Sequence, residues 1–173
     1  MDAIHAIKTR ISTRQFSDKP ISDADLHTIL EAGMSGPSAV NARPWSFIVV
    51  RDKDRLNKMA DGNGRAAEPL RRADVGILVC GDLDRAFQAA PDYWVVDGSI
   101  AAQNMILAAH ALGIGSVWLG TWPQENKMAA QKALFDLPEH IVPHSIIAFG
   151  HPAQDSTKEK LLYEEDRVHF EKW

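Results

Sequence analysis

Arg10, Ser12 and Arg14 stand at alternate positions in the stretch KTRISTRQF. In an extended backbone, residues i, i+2 and i+4 project to the same side, so two guanidinium groups and a hydroxyl would converge on one spot. That spot suits a phosphate, because guanidinium forks bind phosphate oxygens two at a time and the hydroxyl adds a short donor. The same residues also admit a structural role, with Arg10 complementing the negative end of a preceding helix and Arg14 a solvated surface charge.

A second constellation is PSAVNARPW at residues 37–45. Pro37 and Pro44 stiffen its ends, Pro44 pushes Arg43 toward an extended conformation, and Ser38 and Asn41 supply polar groups on backbone with little freedom. A rigid polar loop can recognise a flat, hydrogen-bonding ring such as an isoalloxazine, whose edge carries two carbonyl oxygens, an N–H and ring nitrogens. An ordinary connection with Trp45 as a core anchor fits the residues equally well.

Regular elements must position these stretches. Ile4, Ile7 and Ile11 keep helical spacing, and Leu26, Ile29, Leu30 and Gly33 keep it again after the capping residue Ser22, with Asp25 three residues on. Apolar, β-branched runs at 47–50, 75–80, 117–119 and 145–149 predict strands of a covered sheet. Residues 52–61 and 123–134 predict surface helices. Residues 97–112 predict a helix apolar round most of its circumference, buried either in the centre of one chain or along an interface between copies. The tail holds Leu161, Leu162, Tyr163, Phe170 and Trp173, too much apolar surface to leave in water, and is expected to pack on something. No repeat or linker interrupts the 173 residues, which predict one domain spanning 1–173.

A composition of 45% hydrophobic and 24% charged residues is that of a soluble globular protein. The net charge of −4 leaves no global positive field to gather nucleic acid or an anionic membrane, so any basic site is local. The first ten residues mix charge into the apolar positions too early for a signal peptide, and the apolar stretch 100–112 is too short to span a bilayer. Cys80, the one cysteine, reads as a buried strand residue and can form no internal disulfide, which fits a cytoplasmic location. There is no HExxH, CxxC or Gly-x-Ser-x-Gly, and the seven histidines show no metal-like spacing, so no metal site and no proton-transfer residue is assigned.

Together, in this order and at this separation, Arg10–Ser12–Arg14 and PSAVNARPW resemble the nitroreductase family. Its members open with a helix ending in Arg-x-Ser-x-Arg and follow it with a Pro-Ser-x-x-Asn-x-Gln-Pro-Trp loop. DGSIAAQNMILAAHALGIGSVWLG at 97–120 is similar to the family's long central helix and the strand after it, and FGHP with RVHFEKW resembles the close of its short members. The resemblance implies an α+β fold, an α/β/α sandwich with a mixed, mostly antiparallel sheet and a long central helix at a homodimer interface.

For the site, it implies that Arg10, Ser12 and Arg14 hold the phosphate and ribityl end of FMN. Pro37, Ser38, Ala39 and Asn41 would reach the flavin from the partner subunit. Leu119 and Gly120 would lie along the ring, with a backbone N–H near Gly120 donating to flavin N5, and Asn63 would meet the pyrimidine edge or the ribityl chain. The implied activity is FMN-dependent oxidation of NADH or NADPH, with hydride passing through the flavin to a nitroaromatic, a quinone or a similar small electron acceptor. Dehalogenation of aromatics, oxidation of a saturated bond and flavin binding without turnover are the alternatives. Three positions depart from the family pattern: Arg43 replaces a glutamine, Leu162 stands where short relatives carry an arginine, leaving Lys160 as a substitute phosphate contact, and Gly120 stands where some larger members have a glutamate.

Overall fold

The computed structural model describes residues 1–154, 159–160 and 163–173. Strands β1 (Trp45–Val50), β2 (Val75–Asp82), β3 (Gly115–Gly120) and β4 (Ile141–Gly150) form one sheet in the order β1-β2-β4-β3, with every neighbouring pair antiparallel. Its mixed character comes down to one isolated parallel bridge, Ser12 to Ser116, on the outer edge of β3.

Side-chain alternation along β2 builds two cores. Leu78 and Cys80 point to one face, where Leu56 and Met59 of α3 (Lys53–Asn63) cover them together with Leu70. Ile77 and Val79 point to the other, against Ile29 of α2 (Asp23–Met34) and Ala102, Met105 and Ile106 of α4 (Tyr93–Ala111). Both faces being covered, β2 carries no polar residue from Val75 to Cys80. Each fully buried Leu or Ile side chain contributes roughly 1.5–3 kcal/mol. Helix α5 (Glu125–Phe135) adds Leu134 and Phe135 to the first face.

The start of α2 is set by Ser22, whose hydroxyl accepts from the Asp25 amide at 3.0 Å and donates to its carboxylate at 2.7 Å. Helix α4 begins four residues ahead of the expected Asp97, at Tyr93, because no side chain caps it and so no sequence signal marks its first turn. A 3-10 segment, Arg65–Arg72, was not legible in the pattern; it buries only Ala67 and Leu70.

Two expectations change. Helix α1 (Ala3–Thr9) stops short of Ile11, and its Ile4 and Ile7 face outward, 63% and 53% exposed. The described part of the tail likewise leaves Tyr163, Phe170 and Trp173 in solvent, at 76%, 81% and 99% exposure. The apolar stripe and the described part of the apolar tail are real, but the described residues do not cover them. Leu161 and Leu162 lie outside the described residues. No described helix is long and apolar enough to cross a membrane.

Candidate functional site

Leaving α1, the chain runs along the outer edge of β3, where the Thr13 amide donates to the Ser116 carbonyl at 2.8 Å. Gly115 permits this approach, since a Cβ there would stand 2.7 Å from the Thr13 side chain. A second bridge, Phe16 to Pro152, with the Phe16 ring lying over Gly150, anchors the far end of the segment.

The expected convergence of the triplet is partial. Ser12 and Arg14 open on one cleft with Gln15 and Gln154, whereas Arg10 opens on the adjacent one, of about 230 Å³, with His110. Lys160 donates through Nζ to the Arg10 carbonyl. Burial, then the Arg10 charge, hold the Lys160 ammonium below the usual lysine value, and the same two causes in that order depress His110. The His110 Nε2–H donates to the Thr9 hydroxyl at 2.8 Å, which itself donates to the His5 carbonyl at 2.7 Å. A chain with a net charge of −4 thus gathers Arg10, Lys160 and Arg14 along one edge of its sheet, and among the described residues none of the three forms an ion pair. That is the chemistry of a small-anion site.

Arg14 also lines a larger cleft, of about 600 Å³, together with Trp118, Leu119 and Gly120 at the end of β3. Leu119 turns its side chain into the core, so only its backbone reaches the cleft. Among the described residues Gly120 opens on free space, for a Cβ built there meets none of them within 4 Å. Asn63 stands behind this strand end, 1% exposed: its Nδ2 donates to the Gly120 carbonyl at 3.2 Å and its Oδ1 accepts from Thr121 at 2.9 Å. It holds the end of β3 and does not itself line the cleft.

Pro37, Ser38, Ala39 and Asn41 line none of these three clefts. They form a tight loop containing a 3-10 turn, Ala39–Asn41, in which Val40 and Asn41 take φ of 47° and 58°. Arg43 takes φ of 52°, not the extended conformation expected before Pro44, because Ser38 Oγ accepts its amide at 2.9 Å and the Met34 carbonyl accepts its guanidinium at 3.2 Å. Backbone strain of this kind costs of order 1–3 kcal/mol per residue and persists only where surroundings impose it. Besides Ser38 and Met34, the loop is held by Asp97 of α4, 2% exposed, whose Oδ1 accepts the Ala39 amide at 3.0 Å. The loop leaves Val40 70% exposed.

Asp97, Arg65, Arg72 and Trp118 were missed by sequence reasoning. Asp97 had a signal: an ionisable residue in the most apolar helix must find a partner. Arg65 and Arg72 had none, since their 3-10 segment was not foreseen. Metal-like proximity was likewise invisible to spacing: Asp82, Asp84 and His140 bring ligand-type atoms within 4.8 Å of one another, on a stretch where Asp84 is exposed.

Under the β3 end lies His144, packed edge-on against Trp94 and Trp118 at 5.8 and 5.5 Å. Its Nε2–H donates to the Val95 carbonyl at 3.1 Å, which leaves Nδ1 to accept from Ser145 at 3.0 Å. Burial pushes its pKa below the ordinary 6.5, partly offset by the Val95 bond. The unfolded imidazole therefore takes up a proton through about pH 6.5 while the folded one resists. Stability is then fully present above that pH and falls below it, until the folded ring also protonates. Urea midpoints at pH 7.5 and 5.5 should show the decline, and His144→Phe should reduce it; an equal decline in both proteins would refute the assignment.

Comparison with known proteins gives one consistent result. The family model described as the nitroreductase family matches residues 7–64 and 63–151. A protein of Methanothermobacter thermautotrophicus provisionally described as an NADH dehydrogenase/NAD(P)H nitroreductase is 44% identical over 100% of this chain and 88% of its own. An FMN reductase [NAD(P)H] of Bacillus subtilis is 31% identical, covering 98% of this chain and 74% of its own. The solved FMN-dependent nitroreductase of Clostridium difficile superposes with a TM-score of 0.88 at 27% identity, over 98% of this chain and 99% of that one.

Proposed function

Since the chain belongs to the nitroreductase family, we propose that it is an FMN-dependent NAD(P)H oxidoreductase whose flavin lies between two copies of the chain. The observation that carries this reading is the cleft that Arg14 shares with the open, side-chain-free end of β3 at Gly120.

The residues present fit FMN. Ser12 and Arg14 on one cleft, with Arg10 on the adjacent cleft and Lys160 hydrogen-bonded to its carbonyl, supply the kinds of donor a phosphomonoester requires, and among the described residues no carboxylate pairs with these cations. Leu119 and Gly120 offer backbone along an open face, with Asn63 and Thr121 fixing its end. Pro37, Ser38, Ala39 and Asn41 supply a preformed polar edge that their own chain's cleft does not use, which is what a site completed by a second copy requires. The exposed Ile4, Ile7, Tyr163, Phe170 and Trp173 support the same homodimer, as apolar surface that association would remove from water.

When bound, FMN would supply hydride exchange at N5 between a nicotinamide and a small acceptor such as a nitroaromatic or a quinone. The chain's own part is to bind, to orient and to place guanidinium charge beside the cleft; no general acid is assigned. A cytoplasmic location accords with the single, buried Cys80, whose thiol burial pushes up to about 12.

The absorption spectrum of the purified protein, taken before and after NAD(P)H without oxygen, tests the reading. A flavin spectrum that bleaches on addition is expected. A colourless protein that neither takes up added FMN nor oxidises NAD(P)H in its presence would refute it.

A further inference from the structure

We propose that Arg65 and Arg72 form a second anion subsite on the wall of the Arg14–Gly120 cleft, one that reads the 2′-phosphate of the reducing nucleotide and favours NADPH over NADH. The inference rests on the flavin reading of the cleft and goes beyond it in naming the donor.

The cleft holds more cationic charge than a flavin needs. FMN brings one phosphomonoester, and Ser12 and Arg14, with Arg10 and Lys160 beside the adjacent cleft, already offer it donors. Arg65 and Arg72 line the 600 Å³ cleft as well, from the 3-10 segment, and among the described residues neither enters an ion pair. Their neighbour Arg71 behaves differently, binding Asp61 at 2.6 Å and Glu68 at 3.0 Å. Among the described residues Glu68 is the one carboxylate lining the cleft, and Arg71 engages it.

The acidic partners of this segment thus go to Arg71, while Arg65 and Arg72 line the cleft with Trp118 and Gly120 and, among the described residues, form no ion pair. Two guanidinium forks on one wall match a dianionic phosphomonoester, which each can grip through two oxygens. The 2′-phosphate of NADPH is such a group; the pyrophosphate common to NADH and NADPH carries less charge on each phosphorus. A nucleotide whose nicotinamide stacked near Gly120 would carry its phosphates outward along this wall.

The test uses FMN-loaded protein and the Arg65→Ala/Arg72→Ala double variant, titrated calorimetrically with adenosine 2′,5′-bisphosphate and with 5′-AMP, alongside the FMN dissociation constant and kcat/KM for both nucleotides. Wild type should bind the bisphosphate at least about tenfold more tightly than 5′-AMP. The double variant should lose that difference, its NADPH to NADH ratio of kcat/KM should fall by a similar factor, and its FMN affinity should stay within about threefold. Equal binding of the two adenosine probes by wild type would overturn the proposal. So would an equal loss with both nucleotides, which would assign the pair to the pyrophosphate, or a collapse of FMN affinity, which would assign it to the flavin phosphate. A wild-type protein that binds no FMN would instead overturn the flavin reading itself.

Discussion

Arg14→Ala is expected to weaken FMN binding by about ten- to a hundredfold while leaving the melting temperature of the flavin-free protein unchanged. The range follows from a hydrogen bond to a charged group being worth about 1.5–3 kcal/mol, against 1.4 kcal/mol for each factor of ten. The separation of the two effects follows from position. Arg14 is exposed at the junction of two clefts and, among the described residues, enters no ion pair, so the fold gives up nothing when it is truncated. Quenching of flavin fluorescence during titration measures the affinity, and an unchanged dissociation constant would remove Arg14 from the site.

Asp97→Leu is expected to do the opposite of an ordinary core substitution, lowering FMN affinity at least about tenfold without lowering stability. Asp97 does two things at once. Its Oδ1 pins the Ala39 amide, and with it a loop strained at Val40, Asn41 and Arg43; its Oδ2 is buried with no donor among the described residues. Leucine removes the acceptor, so the loop relaxes, and it also removes a buried polar oxygen whose desolvation was not offset. Asp97→Asn keeps an acceptor for Ala39 and should retain most of the binding. Faster hydrogen exchange at the Ala39 amide in the leucine variant, before any flavin is added, would locate the effect in the loop. If the melting temperature and the affinity fall together in both variants, Asp97 is simply a core residue.

Both predictions depend on geometry that was unevenly legible in the sequence. The four strands could be read because a sheet covered on both faces needs uninterrupted apolar runs, and β2 is one. The cap of α2 could be read because Ser22 and Asp25 are a local pair. What could not be read depends on distant neighbours. Nothing near Arg43 announces a positive φ, since Ser38 and Met34 impose it through hydrogen bonds, against the preference set by Pro44. Asn63 was placed on the flavin, but the groups that engage its side chain are Gly120 and Thr121, nearly sixty positions away.

Ser12 and Arg14 do share a cleft, but so do Ile11, Thr13 and Gln15, so alternation is not what brings them together, and Arg10 is not added. The bend that separates them occurs where α1 ends, at a boundary that the spacing of Ile4, Ile7 and Ile11 blurred. The loop at residues 37–45 was legible as polar and stiffened by its prolines, yet the hold of Asp97 on it from α4 was not.

The central claim, that each flavin site is built from two copies of the chain, is tested most directly by mixing two defective variants. Arg14→Ala lacks the phosphate side of every site and Asn41→Ala the partner's edge, so each alone should retain little FMN. Unfolded together and refolded as an equal mixture, half the dimers would be mixed, and each would carry one site with both residues intact. FMN retention and NAD(P)H oxidation should then recover to about a quarter of the wild-type value. A mixture no better than the average of its two components would contradict the account and return the whole site to a single chain.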